Sequence, residues 1–178
     1  MISLGVDLGR NMGLSVIDNR GDLAFSNVYN LDNYGDDIIQ MGGSLKRAIA
    51  DVWNHEYRWE VAFIEEPPFV NNQKRYAELK ILEYVLVEFL YTGEITAAGI
   101  IGSLNNKSVK LWLCGKGNAS KREVFDEVGR RYGLPLWDDY KPRAKNGMNI
   151  KARDLEQNAR DSIAVNAYGR YLAEKGEL

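Results

Sequence analysis

Apolar positions at the start of the chain come in short, dense runs with period two. Residues 2–8 read as a buried strand and 13–18 as its hairpin partner. The stretch Asp18-Asn19-Arg20-Gly21-Asp22 carries turn chemistry, and 23–29 follows as a third strand, giving an antiparallel meander. The period then changes. Over 36–54, Ile38, Ile39, Met41, Leu45, Ile49, Val52 and Trp53 recur with helical spacing. Residues 59–64 form a run too short for a helix, read as a strand that ends at Glu65-Glu66-Pro67-Pro68-Phe69, where two prolines lack the N–H a strand needs. Residues 74–91 carry the stripe Leu79, Leu82, Val85, Leu86 and Phe89 of an amphipathic helix that ends at Thr92-Gly93. Residues 95–104 read as a strand and 106–114 as a short helix or turn. Ser120 and Glu123 form a capping box for a helix over 121–132. Residues 134–153, with Pro135, Pro142, Gly147 and many charges, read as a mobile loop. A last helix spans about 154–174, with Ile163, Ala164, Ala167, Tyr168 and Leu172 inward. No internal repeat or low-complexity tract interrupts this order, and residues 1–178 are expected to form one domain.

One acid breaks the first apolar run. Asp7 is expected mid-strand, where a buried carboxylate costs several kcal/mol (order of magnitude) unless a cation or donors meet it. Gly5, Gly9 and Gly13 flank it and are expected to leave room for a ligand to approach the backbone. The alternative is an acid at a strand end facing water. Glu65 stands at a strand's carboxyl end, a usual place for ligands in open α/β sheets. Asp161 lies on the last helix, with Asn158 and Asp154 on the same face. Oxygen donors converging from separate elements can hold two divalent ions about 3.5–4 Å apart, a pair that supports phosphodiester hydrolysis without any histidine. Taken singly, Glu65 and Asp161 read equally well as ordinary ion pairs or caps.

Composition narrows the chemistry. One Cys (Cys114) and one His exclude an internal disulfide, make structural zinc improbable and fit a reducing compartment. Carboxylates suit magnesium or manganese better. No apolar run reaches the roughly 18–20 residues that span a bilayer, so no membrane association is expected. The net charge of −2 is unremarkable, but residues 107–153 hold twelve Lys/Arg against five Asp/Glu. A basic segment beside an acidic body suits phosphate binding around a metal site; scattered solvated lysines would look the same. Gly115-Lys116-Gly117 lacks the spacing of a Walker-type phosphate loop.

Four motifs in this order resemble the RuvC-type Holliday-junction resolvases of the ribonuclease H-like superfamily, on a phage-type branch. Gly5-Val6-Asp7-Leu8-Gly9 followed by Gly13 resembles the family's first strand and turn, and Phe63-Ile64-Glu65-Glu66 its second acid. Val109-Lys110 with Gly115, Gly117, Ala119 and Lys121 resembles its basic stretch, and Asn158-Ala159-Arg160-Asp161-Ser162-Ile163-Ala164-Val165 its closing helix. The resemblance spans residues 2–172. It implies an α/β, ribonuclease H-like fold with a mixed five-stranded sheet, its first three strands antiparallel, flanked by helices. It implies a homodimer that resolves four-way DNA junctions by paired nicks, with two Mg²⁺ ions per site (Mn²⁺ substituting), in the cytoplasm of a bacterium or phage-infected host. Asp7, Glu65 and Asp161 match the catalytic metal ligands. The family often has a second acid where this chain has Asn158, whose amide oxygen is a weaker ligand; Asp154, Glu156 or Glu66 are the acids at hand to compensate. Lys110, Lys116, Lys121 and Arg122 are the expected phosphate contacts, Phe69 the aromatic against an unstacked base, and helix 74–91 the candidate dimer surface, the alternative being that its apolar stripe is spent on its own sheet. The rival readings are a non-catalytic junction- or RNA-binding relative and an actin- or sugar-kinase-like ATPase domain.

Overall fold

A computed structural model gives the fold and describes residues 1–31, 37–54, 58–67, 72–92, 100–140 and 148–178, with side chains placed from 156 onward in the last of these. Five strands form one sheet: β1 (Ser3–Asp7), β2 (Asn11–Ile17), β3 (Leu23–Asn30), β4 (Val61–Glu65) and β5 (Ile100–Leu104), in the order β3-β2-β1-β4-β5. The first three pair antiparallel; β4 runs parallel to β1, and β5 parallel to β4. The mixed sheet expected from the resemblance is the one observed. The helices are α1 (Ile38–Asn54), α2 (Gln73–Thr92), α3 (Asn106–Cys114), α4 (Lys121–Tyr132) and α5 (Met148–Lys175).

Period two assigns each strand residue to a face. Leu4 and Val6 of β1, Met12, Leu14 and Val16 of β2, and Ala62 and Ile64 of β4 pack with α1 and α2 through Met41, Leu45, Ile49, Leu82, Leu86 and Leu90. The stripe of α2 is therefore spent on this core. Its outer side exposes Ile81, Tyr84 and Tyr91, and Ile39 of α1, expected inward, is 79% exposed. On the other face Val61 and Phe63 meet α3, α4 and α5 through Val109, Leu113, Val124, Val128, Ile163 and Ala164.

The long helix α5 touches every strand of the sheet. Glycine makes that approach possible. A Cβ on Gly13 would lie 2.0 Å from the Asn158 carbonyl oxygen, and one on Gly5 would lie 2.4 Å from that of Ser162. The space beside these two glycines, expected to admit a ligand, is filled by α5. Polar side chains fix the same contact. Asn166 is fully buried, accepts from the Ser3 hydroxyl at 2.6 Å, and donates to the carbonyls of Ser3 (3.0 Å) and Ser15 (3.1 Å). Arg170 donates to the carbonyls of Met1 and Asp18, each at 2.6 Å.

Capping decides the shorter helices. Asn105 caps α3, and Gly115 ends it in the left-handed conformation (φ 74°); Ser120 and Glu123 close a full capping box on α4, as the sequence predicts. The predicted loop over 134–153 is partly wrong. A 3-10 turn forms at Trp137–Asp139, where Trp137 and Tyr140 stack edge-on against Phe125, and α5 begins at Met148 rather than near 154. Proline and charge content conceal this order, because burial of two aromatic rings outweighs local propensity. The remaining loop positions, 141–147, lie outside the described residues. No helix among the described residues is long and apolar enough to cross a membrane.

Candidate metal and phosphodiester site

The register of β1 against β4 pairs Ser3 with Val61 and Gly5 with Phe63, and the same offset sets Asp7 beside Glu65. Asp7 is the last residue of β1, not mid-strand as expected, and Glu65 is the last of β4. Both belong to the face that α5 covers. Asp161 and Asn158, on that helix, complete a cleft of about 560 Å³ that Asp7, Glu65 and Lys121 also line. Three carboxylates remote in sequence thus open into one space at the carboxyl ends of two parallel strands.

Their electrostatics show how closely they crowd. Asp7 and Glu65 lie within hydrogen-bonding reach, and the Asp7 pKa is raised well above the usual carboxylate range by burial, then by the charges of Glu65 and Asp161. Burial also raises Glu65, opposed by hydrogen bonds from Asn106 and Asp7 and by the charges of Lys110 and Lys121. Asp161 is pushed up to about 7, by burial first and then by Glu65, against a hydrogen bond from Gln157 and the same two lysines. Each acid is harder to ionise than it would be in water, first because burial strips away solvent and, at Asp7 and Asp161, also because a like charge stands beside it. Among the described residues, no three His, Cys, Asp or Glu side chains already form a closed metal cage. The donor set is oxygen only, as a hard divalent cation requires, and a cation would offset both the burial of the three carboxylates and the like charges felt by Asp7 and Asp161. On that chemistry the residues fit a magnesium-type ion.

Of the four predicted basic contacts, the structure brings two to the acids. Lys121, the first residue of α4, lines the cleft, and Lys110 of α3 acts electrostatically on Glu65 and Asp161. Lys116 is held by Glu123, the capping residue of α4, and Arg122 by Asp138 (2.5 Å) and Asp126 (3.7 Å). Phe69 and the side chain of Asp154 lie outside the described residues. The other two candidate acids have partners elsewhere: Glu66 accepts from Asn105 at 3.3 Å, and Glu156 pairs with Arg160 at 3.1 Å.

Sequence reasoning missed the groups that hold the acids in place. Asn106, at the start of α3, donates to Glu65, and Gln157 donates to Asp161 at 2.8 Å. Arg160 is fully buried. It stacks over Phe125 at 4.3 Å and donates to the Pro135 carbonyl at 3.0 Å, which sets the rotation of α5 about its axis. Asn72 and Arg75, from the start of α2, form a further wall of the cleft. Only the spacing of Gln157 and Asp161, one helical turn apart, carried a signal for any of these contacts.

No protein-family profile and no curated protein sequence matches the chain. Solved structures do. RuvC of Thermus thermophilus aligns with a TM-score of 0.71 at 20% identity, covering 99% of this chain and 98% of that one. The same organism's RuvC in complex with Holliday junction substrate aligns at 0.72 and 19% identity, covering 99% and 97%. The yeast mitochondrial Holliday junction resolvase aligns at 0.53 and 14%, covering 97% and 83%. At these identities the likeness establishes a shared fold over nearly the whole length.

Proposed function

We propose that this chain is a divalent-metal-dependent endonuclease that cuts branched DNA, four-way junctions foremost, by phosphodiester hydrolysis. The observation that carries the reading is the convergence of Asp7, Glu65 and Asp161 on one cleft, beside Lys121, in a fold shared with junction resolvases. In this reading the three carboxylates hold the cations, and Asn158 adds a neutral oxygen. Bound there, Mg²⁺ or Mn²⁺, two ions per site, supplies charge neutralisation at the phosphodiester and an acidified water.

The chain's own residues do the rest. Asn106 fixes the Glu65 carboxylate and Gln157 that of Asp161, so each presents an oxygen to the cleft. Lys121 and Lys110 supply the positive charge that lets a phosphate approach three acids, a contact that positions the backbone without reading sequence. Pairing of two such chains about a two-fold axis would present two identical sites to two strands, as paired nicking of a junction requires.

A labelled four-way junction and a matched linear duplex, incubated with Mg²⁺ or with chelator, test the reading. Metal-dependent cutting of the junction alone is expected, and Asp7→Asn should abolish cutting while junction binding and the circular dichroism spectrum persist. An Asp7→Asn protein that cuts at the wild-type rate would remove the proposed metal role. Tight junction binding with no cutting in either Mg²⁺ or Mn²⁺ would instead favour a non-catalytic binding protein, a reading that Asn158 in place of an acid supports.

A further inference from the structure

Asn11 stands on the border of two clefts. One is the acidic cleft; the other, about 460 Å³, lies on the same face of the sheet over β2 and β3 and is lined by Ser26, Asn27, Val28, Asn30, Glu156 and Ala159. Pairing of Asn11 with Asn30, Gly13 with Val28 and Ser15 with Ser26 puts alternate β3 side chains on the side that α5 covers. From α5 come Glu156 and Ala159, on either side of Asn158.

The lining is selective in its chemistry. Among the described residues it contains one carboxylate and no lysine or arginine, a lining that disfavours a phosphate. The polar groups are anchored. Asn30 donates to the Asn11 side-chain oxygen at 3.1 Å, and one Glu156 oxygen accepts from buried Arg160 at 3.1 Å. The paired amides of Asn11 and Asn30 and the Glu156 carboxylate, set around the apolar Val28 and Ala159, match the edge of a nucleobase that bears an exocyclic amine. Asparagine pairs with adenine N6 and N7, and glutamate accepts from cytosine N4.

We propose that this groove is a specificity site that reads the amino-bearing edge of an adenine or cytosine next to the phosphodiester held among Asp7, Glu65 and Asp161. It rests on the nuclease reading above and adds a sequence preference located on β3 and the start of α5.

Four-way junctions carrying each of the four bases at each of three positions on either side of the cut test it. They are cleaved in Mg²⁺ and, separately, titrated for binding in Ca²⁺, with the wild type, Asn30→Ala and Glu156→Gln. The wild type is expected to favour adenine or cytosine at one position by about tenfold. Asn30→Ala should bring that ratio close to one and raise KM on the preferred junction, and Glu156→Gln should narrow any advantage of cytosine. Glu156→Gln keeps an acceptor for Arg160, so it decides the matter should Asn30→Ala fail to fold by circular dichroism. A wild type indifferent to the base at all positions, or variants that keep the wild-type ratio, overturns the proposal. If the wild type cuts no junction, the nuclease reading fails by itself, and the binding series alone decides the groove by the same ratios.

Discussion

On one face of the sheet, α1 and α2 press Met41, Leu45, Ile49, Leu82 and Leu86 against Leu4, Val6, Leu14 and Ile64. On the other, α5 packs Ile163 and Ala164 with Val61 and Phe63 and adds contacts through glycine, serine, asparagine and arginine: Gly5 and Gly13 beneath the helix backbone, Asn166 bridging Ser3 and Ser15, Arg170 on the Met1 and Asp18 carbonyls. Apolar packing is non-directional and tolerates small slides. Hydrogen bonds to backbone carbonyls and close glycine contacts are not tolerant. Both faces bury an apolar core; the second also fixes where Asp161 and Asn158 stand relative to Asp7 and Glu65. Positional accuracy is concentrated on the face where the acids meet.

Three experiments would break or sharpen that contrast. The largest effect is expected at the acids. Asp161→Asn should lower junction cleavage on the order of 10³-fold, while the melting temperature of the metal-free protein rises, because a buried like charge has been removed; a lower melting temperature would mean that Asp161 is stabilising in its own right. Next comes a matched pair across the two faces. Leu45→Ala should cost about 2–5 kcal/mol in urea unfolding yet leave Mg²⁺ affinity close to wild type. Gly13→Ala should cost about 1–3 kcal/mol, less than its partner, yet weaken Mg²⁺ binding and cleavage disproportionately, since the new Cβ displaces the backbone of Asn158. Equal effects of the two on metal affinity would erase the distinction. The third effect is in pH. Asp161, pushed up to about 7 in the fold, binds more protons there than in the unfolded chain, where a carboxylate titrates near 3.9. The metal-free protein should therefore lose stability as pH rises from about 4 to 7, and added Mg²⁺ should flatten that slope. Thermal melts in chelator against Mg²⁺ across this range provide the check.

The legibility of the chain follows the same division. Strand and helix existence on the apolar face is written in periodicity, and the stripe of α2 is buried largely as read. The three acids are visible because a charge interrupting or ending an apolar run is conspicuous. Asn106, Gln157 and Asn166 are not, since an amide on a helix looks like surface until its partner is known. Nothing in the sequence marks Arg160 and Arg170 as buried; their burial depends on carbonyls of Pro135, Met1 and Asp18 that approach only in the folded chain. Gly5 and Gly13 signal a close approach, but a missing Cβ does not say what approaches, and here it is α5 and not a ligand.

Helix α5 also has a consequence in time. It is translated after every strand it covers, so a nascent chain carries Asp7 and Glu65 long before the third carboxylate exists. Ribosomal synthesis proceeds at roughly 5–20 residues per second, which leaves several seconds in which the polypeptide holds an incomplete set of ligands. Premature termination anywhere before that helix would release a fragment that lacks the third acid and so cannot complete the proposed metal site.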